Sequence, residues 1–454
     1  MHFKQFYVGC LAHASYLIGD RDEAVVVDPS RDVQMYLDEA AAHGLKIRWI
    51  LETHLHADFV SGHRELAART GATIAIGRKA EAGYPHHGLS DGDEIHVGGM
   101  TIRAMETPGH TPESLCFGVF EKTGDEQPWA VLTGDTLFVG DVGRVDILSS
   151  RLPVQELAGM MYDSLHGKLL RLPDATRVYP AHGAGSLCGR NIGKETWSTI
   201  GRERGMNPAL VDRGRETFIA EITRDVPETP VYFLHSRDLN KAGPTLDRQR
   251  VFPPALAPRE CAALMDGGAV LLDTRDTPQY AVCHPRGALH VGLDGQFASW
   301  VGTLVRPDDE IVLLVDPERA EEAVTRLARV GYERVKGLLD GGCERWIAAG
   351  LPTASLDQVS AADLSPGDPN VLDVRRASEF EGSHLALARH IPLAQLRQRV
   401  TELDRERQWT VICASGYRSA IAASVLERAG LRVRNTIGGI DAYRGAGLPV
   451  ESGP

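Results

Sequence analysis

Two rhythms of apolar residues run through this chain. Solid runs such as EAVVVDPS (23–30) and WAVLTGDTLF (129–138) predict short strands buried on both faces. VQMYLDEAAAHG (33–44) has helical spacing and stops at a glycine. IRWILETHLHAD (47–58) begins as an apolar strand and ends in polar residues, while GDEIHVGGMTIRAMETPGH (92–110) alternates as a hairpin does. Strands interleaved with helices predict an α/β fold.

The final two hundred residues repeat themselves. VLLDTRDTPQY (270–280) returns as NVLDVRRASEF (370–380), and DGGCERWIAAGLP (340–352) returns as IGGIDAYRGAGLP (437–449). Asp273 and Arg275 thereby match Asp373 and Arg375. Each copy reads strand, helix, strand, helix. The apolar strands DEIVLLVD (309–316) and QWTVICA (408–414) lead into the helical stretches AEEAVTRLARVG (320–331) and SAIAASVLERAG (419–430). Such units predict a parallel sheet wrapped by helices. The stretch 226–244 is proline-rich and polar, and PPALAP (253–258) leads into the first copy. The expected domains are 1–245, 246–355 and 356–454.

Composition agrees with this division, since 454 residues fit three domains of about 150 each. With 43% apolar and 24% charged residues, the chain is globular and not disordered. A formal charge of −12 excludes a nucleic-acid binder and a protein held on an anionic membrane. No apolar run approaches the roughly 18 residues of a membrane span, and the N-terminus lacks the apolar core of a signal peptide. The seven cysteines form no CxxC and are too sparse for a disulfide framework. They imply a reducing, cytoplasmic setting, with Cys10, Cys116, Cys261, Cys283 and Cys343 as packing residues. A homo-oligomer is left open.

The polar clusters carry the chemistry. His54, His56 and Asp58 form H-x-H-x-D at a strand end, where period-two spacing predicts one shared side. TPGHTPES supplies His110, LTGDTLF supplies Asp135 and YPAHGAGS supplies His182, all where strands give way to loops. Burying such groups together is costly without a cation. Near the other end, Cys413 closes an apolar strand and opens C-A-S-G-Y-R-S before a helix. That arrangement aims backbone N–H groups and a helix N-terminus at the thiol, which favours a thiolate or sulfur anion. Gly416 permits a tight loop and Arg418 supplies a planar cation.

THLHADFVSGH, TPGHTPES, GDTLF and YPAHG resemble the successive metal motifs of the metallo-β-lactamase superfamily, an αββα sandwich. Hydrolases of that fold, such as glyoxalase II, carry H-x-H-x-D-H and two metals, whereas this chain has Phe59 at the last position. It is closer to the persulfide dioxygenase branch. That resemblance implies one Fe(II) per chain held by His54, His110 and Asp135, with open positions for substrate and O2. His56, Asp58 and His182 would orient those ligands or touch substrate. Arg144, in DVGRVDIL, is read as a contact for an anion or thiol substrate, or else as an ion pair with Asp146. Cys188 is read as a second thiol near the pocket, or else as a buried structural residue.

The Cys413 segment and DVRRASEFEGSHL (373–385) resemble the rhodanese family, an α/β/α fold. The resemblance makes Cys413 and Arg418 catalytic, with Ser415, Gly416 and Ser419 in the sulfur- and oxyanion-binding loop. Four residues separate Cys413 from Arg418, one fewer than in the related phosphatase loops, which suits a persulfide sulfur. The first copy has Asp316 where Cys413 stands and lacks the loop, so it is expected to be a structural or docking module. The order of modules resembles persulfide dioxygenase–rhodanese fusions. It implies that a low-molecular-weight thiol persulfide is oxidised by O2 to sulfite, and that Cys413 moves sulfane sulfur between persulfide and sulfite or thiosulfate. A two-metal thioester hydrolase with an accessory sulfurtransferase is the main alternative, and a sulfur-binding sensor or carrier is another. The thiol carrier, glutathione, coenzyme A or another, is not specified.

Overall fold

The computed structural model describes residues 1–224, 229–230, 232–246 and 252–453. Its contacts divide the chain into two units: Met1–Arg250 with Ala328–Gly331, and Val251–Leu327 with Tyr332–Pro454.

The first unit is built on two mixed sheets. One orders the strands His2–Val8, His13–Asp20, Glu23–Val27, Lys46–Glu52, Thr73–Gly77 and His87–Leu89. The other orders Ser198–Thr199, Arg177–Pro180, Ala130–Gly134, Leu115–Phe120, Met100–Glu106 and Glu94–Val97. Alternating side chains of both sheets meet in one core, among them Tyr16, Val25, Leu51, Ile102, Phe117 and Leu132. The opposite face of the first sheet buries Leu17, Val26 and Ile50 against Tyr36, Ala40 and Leu66 from the helices Gln34–Ala42 and His63–Thr70. The polar clusters therefore emerge from strand ends along one edge of the sandwich.

The proline-rich stretch departs from the linker-like reading of its sequence. Residues 226–228 and 231 lie outside the described residues, but Tyr232–Ala242 is a helix. Residues 247–251, next to the expected boundary at 245, also lie outside them.

In the second unit the two repeats have the same sheet order. Ala255–Leu256, Val335–Leu339, Ile311–Leu314, Val270–Asp273 and Leu289–His290 run parallel, and so do Asp357–Ser360, Arg432–Ile437, Gln408–Ile412, Val371–Asp373 and Arg389–His390. The helix Tyr417–Arg428 follows the Cys413 loop, and every residue from Ser419 to Leu426 is buried. A helix buried all round needs neighbours on every side. The first repeat supplies some of them. The Tyr417 hydroxyl donates to the Gly292 carbonyl at 2.9 Å, and Ser424 Oγ accepts from His290 N at 3.0 Å. The Tyr280 hydroxyl donates to Glu427 at 3.0 Å, and Arg428 donates to the Gly287 carbonyl at 2.6 Å. Among the described residues, no helix is long and apolar enough to cross a membrane.

Candidate functional site

The strand Lys46–Glu52 ends before the H-x-H-x-D motif, so period-two spacing does not govern it. Residues 53–59 turn instead, and His54, His56 and Asp58 join three different clusters. This corrects the expectation of one shared side: without ladder hydrogen bonds to hold the pleat, alternate residues need not align.

His54 meets His110 and Asp135, and one ligand atom from each lies within 4.8 Å of the others. All three side chains are buried, and His54 Nε2, His110 Nε2 and Asp135 Oδ2 have no hydrogen-bond partner among the described residues. Their remaining polar atoms are fixed. The Thr53 hydroxyl donates to Asp28 at 2.9 Å and accepts from His54 Nδ1 at 3.0 Å, while His110 Nδ1 donates to the Arg144 carbonyl at 2.8 Å. Each imidazole thus presents an unprotonated Nε2 to the shared space. Burial holds His54 well below the usual histidine range and lowers His110 as well. Burial opposes the charge of Asp135, yet His182, His110 and His54 hold it well below the usual carboxylate range. Two neutral histidines and one carboxylate, buried with convergent orphaned atoms, fit a divalent metal.

Asp58 belongs with His182 and Cys188. His182 Nδ1 lies 2.7 Å from Asp135 Oδ1 and Nε2 lies 2.8 Å from Asp58 Oδ2. Burial works against its charge, but Asp135 and Asp58 raise His182 well above its usual range. Cys188 is 1% exposed, and burial with Asp58 and Asp135 nearby raises its thiol well above the usual value. His56 turns the other way, to Asp28 at 3.0 Å and Glu52 at 3.6 Å. Phe59 is fully buried with its ring 4.1 Å from His13 and 4.4 Å from His56.

Arg144 is not the free cation that a substrate contact needs. Its guanidinium grips Asp146 at 2.8 and 2.6 Å, the Leu187 carbonyl at 3.1 Å and Thr229 at 3.1 Å. The ion-pair reading describes its geometry, because a bidentate carboxylate uses the donors that an anion would take.

Several residues around the centre escaped the sequence reading. His13 is fully buried against Phe59 and His182. Asn240 donates to the carbonyls of His56 and Phe59, both at 2.8 Å, and accepts from Ser61 N at 2.9 Å. Glu52 takes the Ser61 hydroxyl at 2.5 Å and His63 at 3.3 Å. The polar end of VVVDPS and the acidic residue before T-H-L-H were visible signals for Asp28 and Glu52. Asn240 had none.

In the second repeat, Cys413 is 1% exposed and accepts a hydrogen bond from Gly416 N at 3.1 Å. Ser419 Oγ lies 3.4 Å from its sulfur, and Ser415 is exposed at the rim. Gly416 has φ of 105°, a conformation that side chains disfavour. Gly439 is packed so closely that a Cβ there would stand 2.3 Å from the Cys413 carbonyl. Arg418 is forked onto Glu379 with both contacts at 2.7 Å, so its charge is shared rather than free. In the first repeat the matching strand ends at Leu314, and Asp316 immediately precedes a short 3-10 turn.

Residues 8–182 match the metallo-β-lactamase superfamily, and residues 257–349 and 357–446 each match the rhodanese-like domain. A crystal structure of a metallo-β-lactamase from Staphylococcus aureus is 33% identical, with a TM-score of 0.66, covering 74% of this chain and 98% of that one. A probable metallo-hydrolase of Burkholderia pseudomallei is 39% identical over 31% of this chain and 54% of its own length. The mitochondrial persulfide dioxygenase of Bos taurus is 32% identical over 43% of this chain and 70% of its own length. The chain thus spans little more than half the length of the Burkholderia relative. The fold and site define a metal-binding enzyme of the metallo-β-lactamase class joined to two rhodanese-like domains. Within that class, the chain belongs to the persulfide dioxygenase family.

Proposed function

We propose that the chain oxidises a low-molecular-weight thiol persulfide with O2 to sulfite at a mononuclear Fe(II), and moves sulfane sulfur through Cys413. The observation that carries this reading is the convergence of one carboxylate oxygen and two imidazole nitrogens, all buried and without hydrogen-bond partners among the described residues. Two histidines and a carboxylate suit non-haem Fe(II) with open positions. Bound there by His54, His110 and Asp135, the iron would supply the redox capacity that no side chain has. His182 holds Asp135 Oδ1, which leaves Oδ2 facing the two histidines. Thr53 and the Arg144 carbonyl keep both imidazoles in one tautomer. Phe59 and His13 pack ring to ring beside His182, the residue that holds Asp135.

In the sulfur-transfer loop, Cys413 attacks the outer sulfur of R–S–SH, giving Cys–S–SH and R–SH. Sulfite then attacks that outer sulfur, giving thiosulfate and the free cysteine. The Gly416 N–H, 3.1 Å from Cys413 Sγ, supports that sulfur as the attacking thiolate and again as the departing one. Fusion raises the local concentration of the shared intermediate.

The hydrolase relative favours a second reading, a two-metal thioester hydrolase whose second ion would use Asp58, His182 and Cys188. Against it, both nitrogens of His182 already face carboxylates and Phe59 offers no donor. Asp135→Ala should abolish persulfide-dependent O2 uptake while leaving thiosulfate:cyanide sulfur transfer intact. Cys413→Ser should do the converse and let sulfite accumulate. Two zinc ions and no iron after anaerobic purification, with thioester hydrolysis, would establish the second reading instead.

A further inference from the structure

The repeat that lacks the loop cysteine carries two others, and the fold brings them together. Cys283 follows the helix Thr277–Val282, and Cys343 lies in the first turn of Gly342–Ala348. The Cys343 thiol donates to the Cys283 carbonyl at 3.1 Å, sixty residues away along the chain. Arg275 donates to the same Cys283 carbonyl at 2.9 Å and is anchored on Asp273. Both cysteines are partly exposed, and Val282 beside them is 80% exposed.

The second repeat shows that the fold does not need these thiols. There Arg375 donates to the carbonyl of Ser383, the residue matching Cys283, at 2.6 Å, and is anchored on Asp373. The residue matching Cys343 is Ile440, a core side chain. The clamp therefore requires a carbonyl and an apolar group, and in the first repeat two thiols occupy those places. Packing alone gives no reason for both.

We propose that Cys283 and Cys343 form a reversible dithiol–disulfide couple, a redox site in the first repeat for low-molecular-weight disulfides and persulfides. With an oxidant R–S–S–R′, Cys283 at the exposed helix end attacks one sulfur, forming Cys283–S–S–R and releasing R′–SH. Cys343 then attacks the Cys283 sulfur and passes its proton to the departing R–S⁻. The two cysteines lose two electrons and two protons, and R–S–S–R′ becomes two thiols. Burial pushes the Cys343 thiol up to about 12 although Arg275 opposes it, so Cys343 is the slower, resolving partner. The resulting bridge would tie the helix end at 282 to the helix that starts at Gly342.

The full chain should be tested as the Asp135→Ala, Cys413→Ser double variant, which removes both proposed activities and so separates this site from them. After exposure to glutathione disulfide and acid quenching, peptide mapping should find Cys283 linked to Cys343 and no adduct on either. Adding Cys343→Ser should leave one stable glutathionyl adduct on Cys283, and dithiothreitol should restore both thiols in the parent. Glutathione persulfide should give the same bridge with release of sulfide. Two free thiols, or a lasting adduct on either cysteine when both are present, would overturn the proposal. The reciprocal Cys283→Ser variant guards against misfolding: its Cys343 should stay unmodified.

Discussion

At the scale of single residues, charge placement decides what each site can do. His182 sits between Asp135 and Asp58 and is raised well above the usual histidine range, so one oxygen of Asp135 is committed and the other left open. Glu427 is a second case, with a measurable consequence for stability. Burial, with Asp357 nearby, raises it to about 7 in spite of the Tyr280 hydroxyl. Unfolded, a glutamic acid titrates near about 4.3. Below that value both states are protonated. Between the two values the folded state holds the extra proton, so stability falls as pH rises through the window and levels off above about 7. Glu427→Gln should flatten that fall, which calorimetric melting from about pH 5 to pH 8 would measure. The residues His54, His110 and Asp135 were legible because each stands in a short motif at a strand end. The division of His54, His56 and Asp58 among three clusters was not. It depends on where the strand stops and on partners, Asp28 and Glu52, that isolated motifs do not name.

At the scale of elements, strands were the most legible and one helix the least. The runs of valine and leucine fall in the strands Glu23–Val27, Ala130–Gly134, Ile311–Leu314 and Gln408–Ile412. The helix Tyr232–Ala242 buries Ser236, Arg237 and Asn240 along with Tyr232 and Phe233. Its inward face is largely polar, so hydrophobic periodicity could not reveal it. Those polar groups are what the loop beneath requires. Asn240→Ala would strip the partners from two buried carbonyls and one buried N–H and should cost about 2–4 kcal/mol, read by urea melts. It should also lower metal occupancy, measured per chain. In the second repeat, Gly439 has φ of 57°, and a Cβ would meet the Cys413 carbonyl. Gly439→Ala should therefore lower thiosulfate:cyanide transfer at least tenfold while persulfide-dependent O2 uptake stays at the parent rate, because an offset of about 1.4 kcal/mol at the loop is already a factor of ten.

At the scale of the whole molecule, repetition was legible and its use was not. The paired segments at 270 and 370 announce a duplication, and the shared sheet order bears out two rhodanese-like folds. Sequence comparison treats the copies as beads on a string. In the fold, the helix behind Cys413 is buried all round, and its Tyr417, Ser424, Glu427 and Arg428 find partners in the first copy. Residues 252–453 should therefore fold and transfer sulfur as a fragment, whereas 356–453 should aggregate or lose most of its transfer rate, checked by gel filtration and the cyanide assay. The copy without the loop cysteine acts in effect as a splint. Once the helix behind Cys413 leans on a sibling, the sibling is bound by fit, whatever chemistry of its own it carries. Portability is what the arrangement gives up: the domain that carries Cys413 can be transplanted into another protein only together with its sibling.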